Sequence, residues 1–133
     1  MATLQYIEGI GRRKTASARV RLTPAKATTI VINDLPLAEY FKMKSHQKDV
    51  TSVLETKEAG IEDYTITVKV SGSGLSAQSE AIRLGIARAL VKEKASRRAV
   101  LKPLGLLKRD SRAVERKKFG LLKARRRPQW SKR

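Results

Sequence analysis

The sequence predicts a single α+β domain followed by an extended basic tail. Three observations carry that prediction. Two segments, 15–22 and 64–71, alternate apolar and polar side chains. One stretch, 75–94, repeats its apolar positions at helical spacing. The composition then changes at Lys102-Pro103, where apolar runs give way to closely spaced cations. At 133 residues the chain fits one domain better than two. The boundaries predicted are a globular part over 1–102 and a tail over 103–133.

Taken in order, Leu4–Glu8 reads as a weak first strand. Arg12, Arg13 and Lys14 are expected in a loop after Gly9 and Gly11. In the next strand Ala16, Ala18, Val20 and Leu22 face one side, and Thr15, Ser17, Arg19 and Arg21 the other. Period-two alternation means one face buried and one wet. Thr23-Pro24-Ala25-Lys26 supplies a turn, Thr29–Ile32 is a second weak strand, and Asn33-Asp34 ends it. Leu37–Phe41 predicts a short helix. Gln47–Glu58 predicts another, with Val50, Val53 and Leu54 on one face. Tyr64, Ile66, Val68 and Val70 then alternate with Thr65, Thr67, Lys69 and Ser71 in a strong strand.

The long helix covers about Leu75 to Lys94. Ile82, Ile86, Ala89 and Leu90 form its apolar stripe, while Glu80, Arg83, Lys92 and Lys94 favour the exterior. Ser73 or Ser76 is the expected N-cap. Gly85 within it costs about 1 kcal/mol relative to Ala, which implies close packing on the sheet.

Charge decides the class of partner. Lys plus Arg number 30 against 12 acids, a formal charge of +18. Residues 1–100 carry a net +7 and residues 101–133 a net +11. So many like charges oppose compaction unless a polyanion neutralises them. Nucleic acid and anionic membrane are the common polyanions. The membrane reading is the weaker, because no apolar run approaches the roughly 20 residues that span a bilayer. Met1–Ile7 has no basic n-region, so no secretory signal is expected there. The absence of cysteine removes disulfides and thiolate metal sites.

Three constellations are candidates for binding. The first is Arg12, Arg13, Lys14, Arg19 and Arg21 with the hydroxyls of Thr15 and Ser17. Guanidinium groups beside hydroxyls suit phosphate and ribose oxygens, although a solvated outer face has the same pattern. The second is Gly72-Ser73-Gly74 ahead of the long helix, where exposed amides and the helix dipole favour an anion. A nucleotide, an RNA phosphate and a plain tight turn all fit it, but a Walker A loop does not. The third is the tail, with Arg109, Arg112, Arg116, Lys117, Lys118, Lys123, Arg125, Arg126, Arg127, Lys132 and Arg133 interleaved with Phe119, Gly120, Pro128 and Trp130. Nuclear-localisation runs and non-specific tails share the charge. The interleaved aromatics and breakers favour a defined path through RNA, ordered by that partner. From Lys108 onward the extended tail reaches on the order of 85 Å.

Catalysis finds little support. His46 is the only histidine and reads as a surface or capping residue. Glu62 and Asp63 are adjacent and point to opposite faces, so they do not converge. No metal site or cofactor is expected.

Four segments then carry a family resemblance: GIGRRKTASARVRL at 9–22, NDLPLAEYF at 33–41, VSGSGLSAQSEAIRLGIARAL at 70–90 and LLKRDSRAVERKKFGLLKARRRPQWSKR at 106–133. In this order they resemble the bacterial- and plastid-type family nine of small-subunit ribosomal proteins. The resemblance implies a four-stranded mixed sheet with a long helix packed on it, a two-layer sandwich like domain two of ribosomal protein S five. It implies a non-enzymatic constituent of the small subunit, in a bacterial cytoplasm or, for an organelle-encoded member, a plastid stroma. Its implied partners are rRNA of the subunit head, neighbouring head proteins and peptidyl-site tRNA. Ser131, Lys132 and Arg133 match the family segment that approaches the tRNA. The chain departs from the family pattern at Ser73 and Ala77, where glycine is usual, at Leu84, where histidine is common, and at Trp130, where Phe or Tyr is usual.

A small-molecule kinase, suggested by the Gly-Ser loop and fold class, is the rival reading, and a generic DNA compactor is another. Short length, basic excess and the lack of a placed base weigh against the kinase. The interleaved tail does not require duplex DNA.

Overall fold

The computed structural model describes residues 5–56, 61 and 63–132. Along the chain lie β1 (Ile7–Arg13), β2 (Ala16–Pro24), β3 (Thr29–Ile32), β4 (Leu35–Pro36), α1 (Leu37–Tyr40), α2 (Lys44–Thr51), β5 (Tyr64–Ser71), α3 (Leu75–Glu93) and α4 (Arg97–Leu101). The five strands form one mixed sheet in the order β1-β2-β5-β3-β4. Only β3 and β5 run parallel. α3 packs on one face of the sheet and α2 packs beside it, so the architecture is the expected two-layer α+β sandwich. It has five strands where four were expected, because Leu35 and Pro36 pair with Ile32 and Val31 across a turn. That turn places Asn33 and Asp34 at positive φ.

The core follows the alternation. Ala16, Ala18, Val20 and Leu22 of β2 are buried with Tyr64, Ile66, Val68 and Val70 of β5. Ile82, Ile86, Ala89 and Leu90 of α3 close it from above, each with no exposed surface. β5 has the predicted bounds. Neither Ser73 nor Ser76 caps α3: Gly74 takes the N-cap position and no side chain bonds the end. The helix expected over Gln47–Glu58 starts three residues earlier and stops at Thr51, with Glu58 outside the described residues.

The largest departure is β1. The strand expected over 4–8 lies over Ile7–Arg13, so Arg12 and Arg13 belong to a strand and not to a loop. Only Lys14 and Thr15 form the turn to β2. Ile7, Gly9, Gly11 and Arg13 are the inward positions of β1, and the two central glycines lie against the backbone of α3. A β-carbon on Gly9 would stand 2.3 Å from the Gly85 carbonyl oxygen, and one on Gly11 would stand 1.7 Å from that of Ala81. With two glycines and an arginine among the four inward positions, the strand shows no apolar period, and this hid it. Gly85 faces the same contact, with Val20 Cγ2 at 2.7 Å from its would-be β-carbon. The close packing inferred from its cost is therefore observed.

The chain beyond α3 does not leave the body at Pro103. Leu101 is fully buried, and Leu106 and Leu107 pack against the core. Arg97 is also buried, its guanidinium held by Glu93, Tyr64 Oη and the Leu90 carbonyl. From about residue 108 the described chain is without regular structure.

Candidate nucleic-acid interface

The sheet face away from α3 is open, and the register aligns its side chains in rows. Ile10, Arg19 and Lys69 lie side by side across β1, β2 and β5. Glu8, Arg21, Thr67 and Val31 form the next row. Arg12, Ser17 and Ser71 form a third toward the β1–β2 turn. Arg12, Arg19, Arg21 and Lys69 are all exposed. Arg19, Arg21, Thr67 and Lys69 line a shared depression. Arg19 Nε donates to Glu8 at 3.0 Å, and the Arg21 guanidinium sits 4.6 Å from the centre of the Tyr6 ring. Both arginines are thereby held upright with donors to spare. Lys69 and Tyr6 were absent from the sequence-based set. For Lys69 the signal was present, since it occupies an outward position of β5.

Arg13 behaves differently from its neighbours. It faces α3 and is nearly buried. Its Nε donates to Glu80 at 2.6 Å and its Nη1 lies 3.3 Å from the Asp110 carboxylate. Nη1 also donates to the Arg112 carbonyl. Arg109 reaches back to the Lys14 carbonyl at 3.3 Å. Arg13 therefore holds the root of the tail against the end of the sheet. Asp110 is locked in turn: the Arg112 guanidinium, then its amide, hydrogen-bond the carboxylate and hold it well below the usual range.

This tether brings two predicted constellations together. Lys14 and Thr15 of the β1–β2 turn, Ser73 of the Gly-Ser loop, and Arg109, Ser111, Arg112 and Val114 of the tail line one cleft of about 340 Å³. Gly72 is at φ 86° with its would-be β-carbon 2.4 Å from the Thr15 carbonyl, so the turn and loop are in backbone contact. Ser73 is also left-handed, at φ 56°. The loop is braced from behind: Gln78 Nε2 donates to the Gly72 carbonyl at 3.0 Å, and Tyr40 Oη donates to Gln78 at 2.6 Å. Gly74 is unobstructed. The first amides of α3 have no acceptor within the helix. With Lys14 and Arg109 across the cleft, these groups suit a phosphate.

The rest of the tail projects cations. Glu115 pairs with Lys118 at 2.6 Å and Arg125 at 2.9 Å. These bonds, Lys118 first, hold its carboxyl below its ordinary value. They close a bend in which the Leu122 amide donates to the Arg126 carbonyl at 2.7 Å. The side chains of Arg116, Lys117, Lys123, Arg126, Arg127 and Lys132 make no hydrogen bond or ion pair among the described residues. Phe119 and Trp130 are 100% and 81% exposed, which leaves both ring faces open to stacking. Ser131 and Lys132 lie at the exposed end, and Arg133 is outside the described residues.

Nothing here resembles a reaction centre. No group of three or more potential metal ligands occurs among the described residues. His46 packs edge-on to Phe41 at 5.8 Å. Of the adjacent acids, Asp63 accepts from Thr28 at 2.9 Å, and Glu62 is outside the described residues. No described helix is long and apolar enough to cross a membrane.

Comparison with known proteins agrees with this geometry. Residues 11–133 match the family model described as ribosomal protein S9/S16. The chain is 52% identical to the small ribosomal subunit protein uS9c of Mesostigma viride, over 100% of this chain and 96% of the relative. It is 50% identical to the uS9 protein of Chlorobium luteolum, over 97% and 98%. It is also 50% identical to that of Cytophaga hutchinsonii, over 98% and 100%. The chain belongs to the ribosomal protein S9/S16 family, as a structural small-subunit protein and not an enzyme.

Proposed function

We propose that the domain docks on ribosomal RNA of the small-subunit head through its open sheet face and the cleft beside the Gly-Ser loop, and that the tail threads onward through RNA to tRNA at the peptidyl site. The observation that carries this reading is the set of six tail cations whose side chains have no partner among the described residues, beyond an anchored root. Within a chain of net charge +18 their mutual repulsion favours binding to an external polyanion. Beyond Arg112 the tail takes its final path on the RNA, ordered by that partner.

In this reading Arg12, Arg19 and Arg21 supply phosphate and ribose contacts. Lys14, Gly72, Gly74, Arg109 and Arg112 surround a phosphate. Arg116, Lys117, Lys118, Lys123, Arg125, Arg126 and Arg127 track the backbone. Arg13 contributes by placing the tail root. Ser131, Lys132 and Arg133 reach the tRNA, as the family resemblance implies. The setting is a ribosome of a bacterial cytoplasm or a plastid stroma, where the matched relatives belong.

Binding to small-subunit rRNA should follow counterion release. With about eight phosphates engaged, log K against log salt falls with a slope of about −6 to −7. Deleting residues 107–133 should remove most of that slope, and an unchanged slope would refute the tail as main anchor. Removing Lys132 and Arg133 alone should leave subunit assembly intact and weaken peptidyl-site tRNA binding by about 1–2 kcal/mol. Normal tRNA affinity in the truncated subunit would refute the tRNA contact.

A further inference from the structure

The helical layer carries a second cationic surface that neither the open sheet face nor the tail explains. Arg88 and Lys92 stand one turn apart on α3, about 6 Å along its axis. Arg98 approaches them from α4. Together with Val91 and Leu107 these three line a depression of about 390 Å³. All three cations are exposed, while Val91 and Leu107 are half-buried. The apolar pair gives the long side chains a floor for their methylene stems, leaving the charged heads in water.

The local electrostatics are unbalanced. Arg88 Nη1 donates to the Ile10 carbonyl at 2.8 Å, which fixes the guanidinium at the outer edge of β1. The side chains of Lys92 and Arg98 make no hydrogen bond or ion pair among the described residues. Glu93, the acid beside them in sequence, turns to Tyr64 and Arg97. Lys102, one turn beyond Arg98, adds a further exposed cation. Compensation of the helix dipole accounts for Lys92, in the last turn of α3. The same compensation is open to Arg98 in the last turn of the short α4, but it does not account for Arg88 farther back in α3.

We infer that this surface binds the phosphate backbone of an RNA duplex, separate from the RNA on the sheet face. The inference rests on the RNA-binding reading above and extends it: the domain would lie between two RNA elements and join them. No aromatic ring lines the depression, in contrast to the tail with Phe119 and Trp130. A surface with cations and no stacking platform suits paired RNA, whose bases are already stacked, better than single strands. The α3 surface and the Arg19–Arg21–Lys69 face lie on opposite sides of the sheet, so one duplex does not serve both.

The test uses the full-length chain and two variants. K92Q/R98Q removes two cations whose side chains make no bond among the described residues, so the fold should survive, with a thermal midpoint close to that of the parent. R19Q/K69Q is the comparator on the sheet face. Affinity for a 20-base-pair RNA duplex and for small-subunit rRNA is measured across salt, with hydroxyl-radical footprinting on the rRNA. The expected result is a slope reduced by about 1.4–1.8 for K92Q/R98Q, since each lost phosphate contact contributes about 0.7–0.9. Its lost footprint should lie on a different RNA segment from that lost by R19Q/K69Q. If only R19Q/K69Q changes the slope, the inference is overturned and the sheet-face reading stands; this is also the result expected were the surface a dock for an acidic protein. If neither variant changes it, both fall. Loss of the same footprint by both variants would also overturn a second, separate contact.

Discussion

Replacing Gly11 with alanine tests the contact that holds the two layers together. The new β-carbon would stand 1.7 Å from the Ala81 carbonyl oxygen and 2.6 Å from the Gly85 amide nitrogen. Both are backbone atoms, so no side chain can rotate away. Restoring ordinary contact requires α3 to lift from β1 by about 1.5 Å, and a gap of even 0.5–1 Å forfeits a quarter to a half of each dispersion contact. Eleven residues of α3 are buried, so the lift loosens much of the core. Overpacking ordinarily costs about 1–3 kcal/mol, and with a rigid backbone on both sides Gly11→Ala belongs at the upper end, at about 3 kcal/mol. Gly74→Ala is the control. Nothing lies within 4 Å of its would-be β-carbon and its φ is −97°, so its effect should be limited to the poorer N-cap preference of alanine, about 0.5–1 kcal/mol. Urea unfolding of both full-length variants by tryptophan-independent circular dichroism gives the comparison. Equal midpoints for Gly11→Ala and Gly74→Ala would refute backbone contact as the reason for glycine in β1.

Two further outcomes follow from the buried charges. Arg13→Gln should free the tail root, so that exchange of the Arg112 amide, which donates to Asp110, quickens by about ten-fold, the equivalent of one lost charge-assisted hydrogen bond; unchanged exchange would show that other contacts hold it. Burial disfavours the Glu93 carboxylate, but hydrogen bonds from Tyr64 and Arg97 outweigh that and lower its pKa. A lowered carboxyl stabilises the fold fully above its unfolded pKa of about 4.3, and that stability is lost as pH falls through the lower folded value. Glu93→Gln should therefore cost about 2–3 kcal/mol at pH 7, less than a fully buried pair because Glu93 keeps 22% exposure. Its deficit should shrink below about pH 4, and a deficit constant to pH 3 in urea unfolding would contradict this.

The sequence by itself determined what depends on local pattern and on summed charge. β2, β5 and α3 were legible because their side chains repeat at the period of the element that carries them. The outward placement of Arg19 and Arg21 followed from the same alternation. The excess of cations in the tail needed only counting. Tertiary structure alone decided the rest. β1 is a strand because α3 lies on it, and its inward glycines carry no hydrophobic signal. Arg13 looked like its neighbours Arg12 and Lys14, yet its partners Glu80 and Asp110 lie 67 and 97 residues away in sequence. The meeting of Lys14, Ser73 and Arg109, and that of Arg88 with Arg98, likewise join distant segments. A side chain's period records which face it occupies, whereas its partner is set by how the layers stack, and that is a property of the whole packed chain.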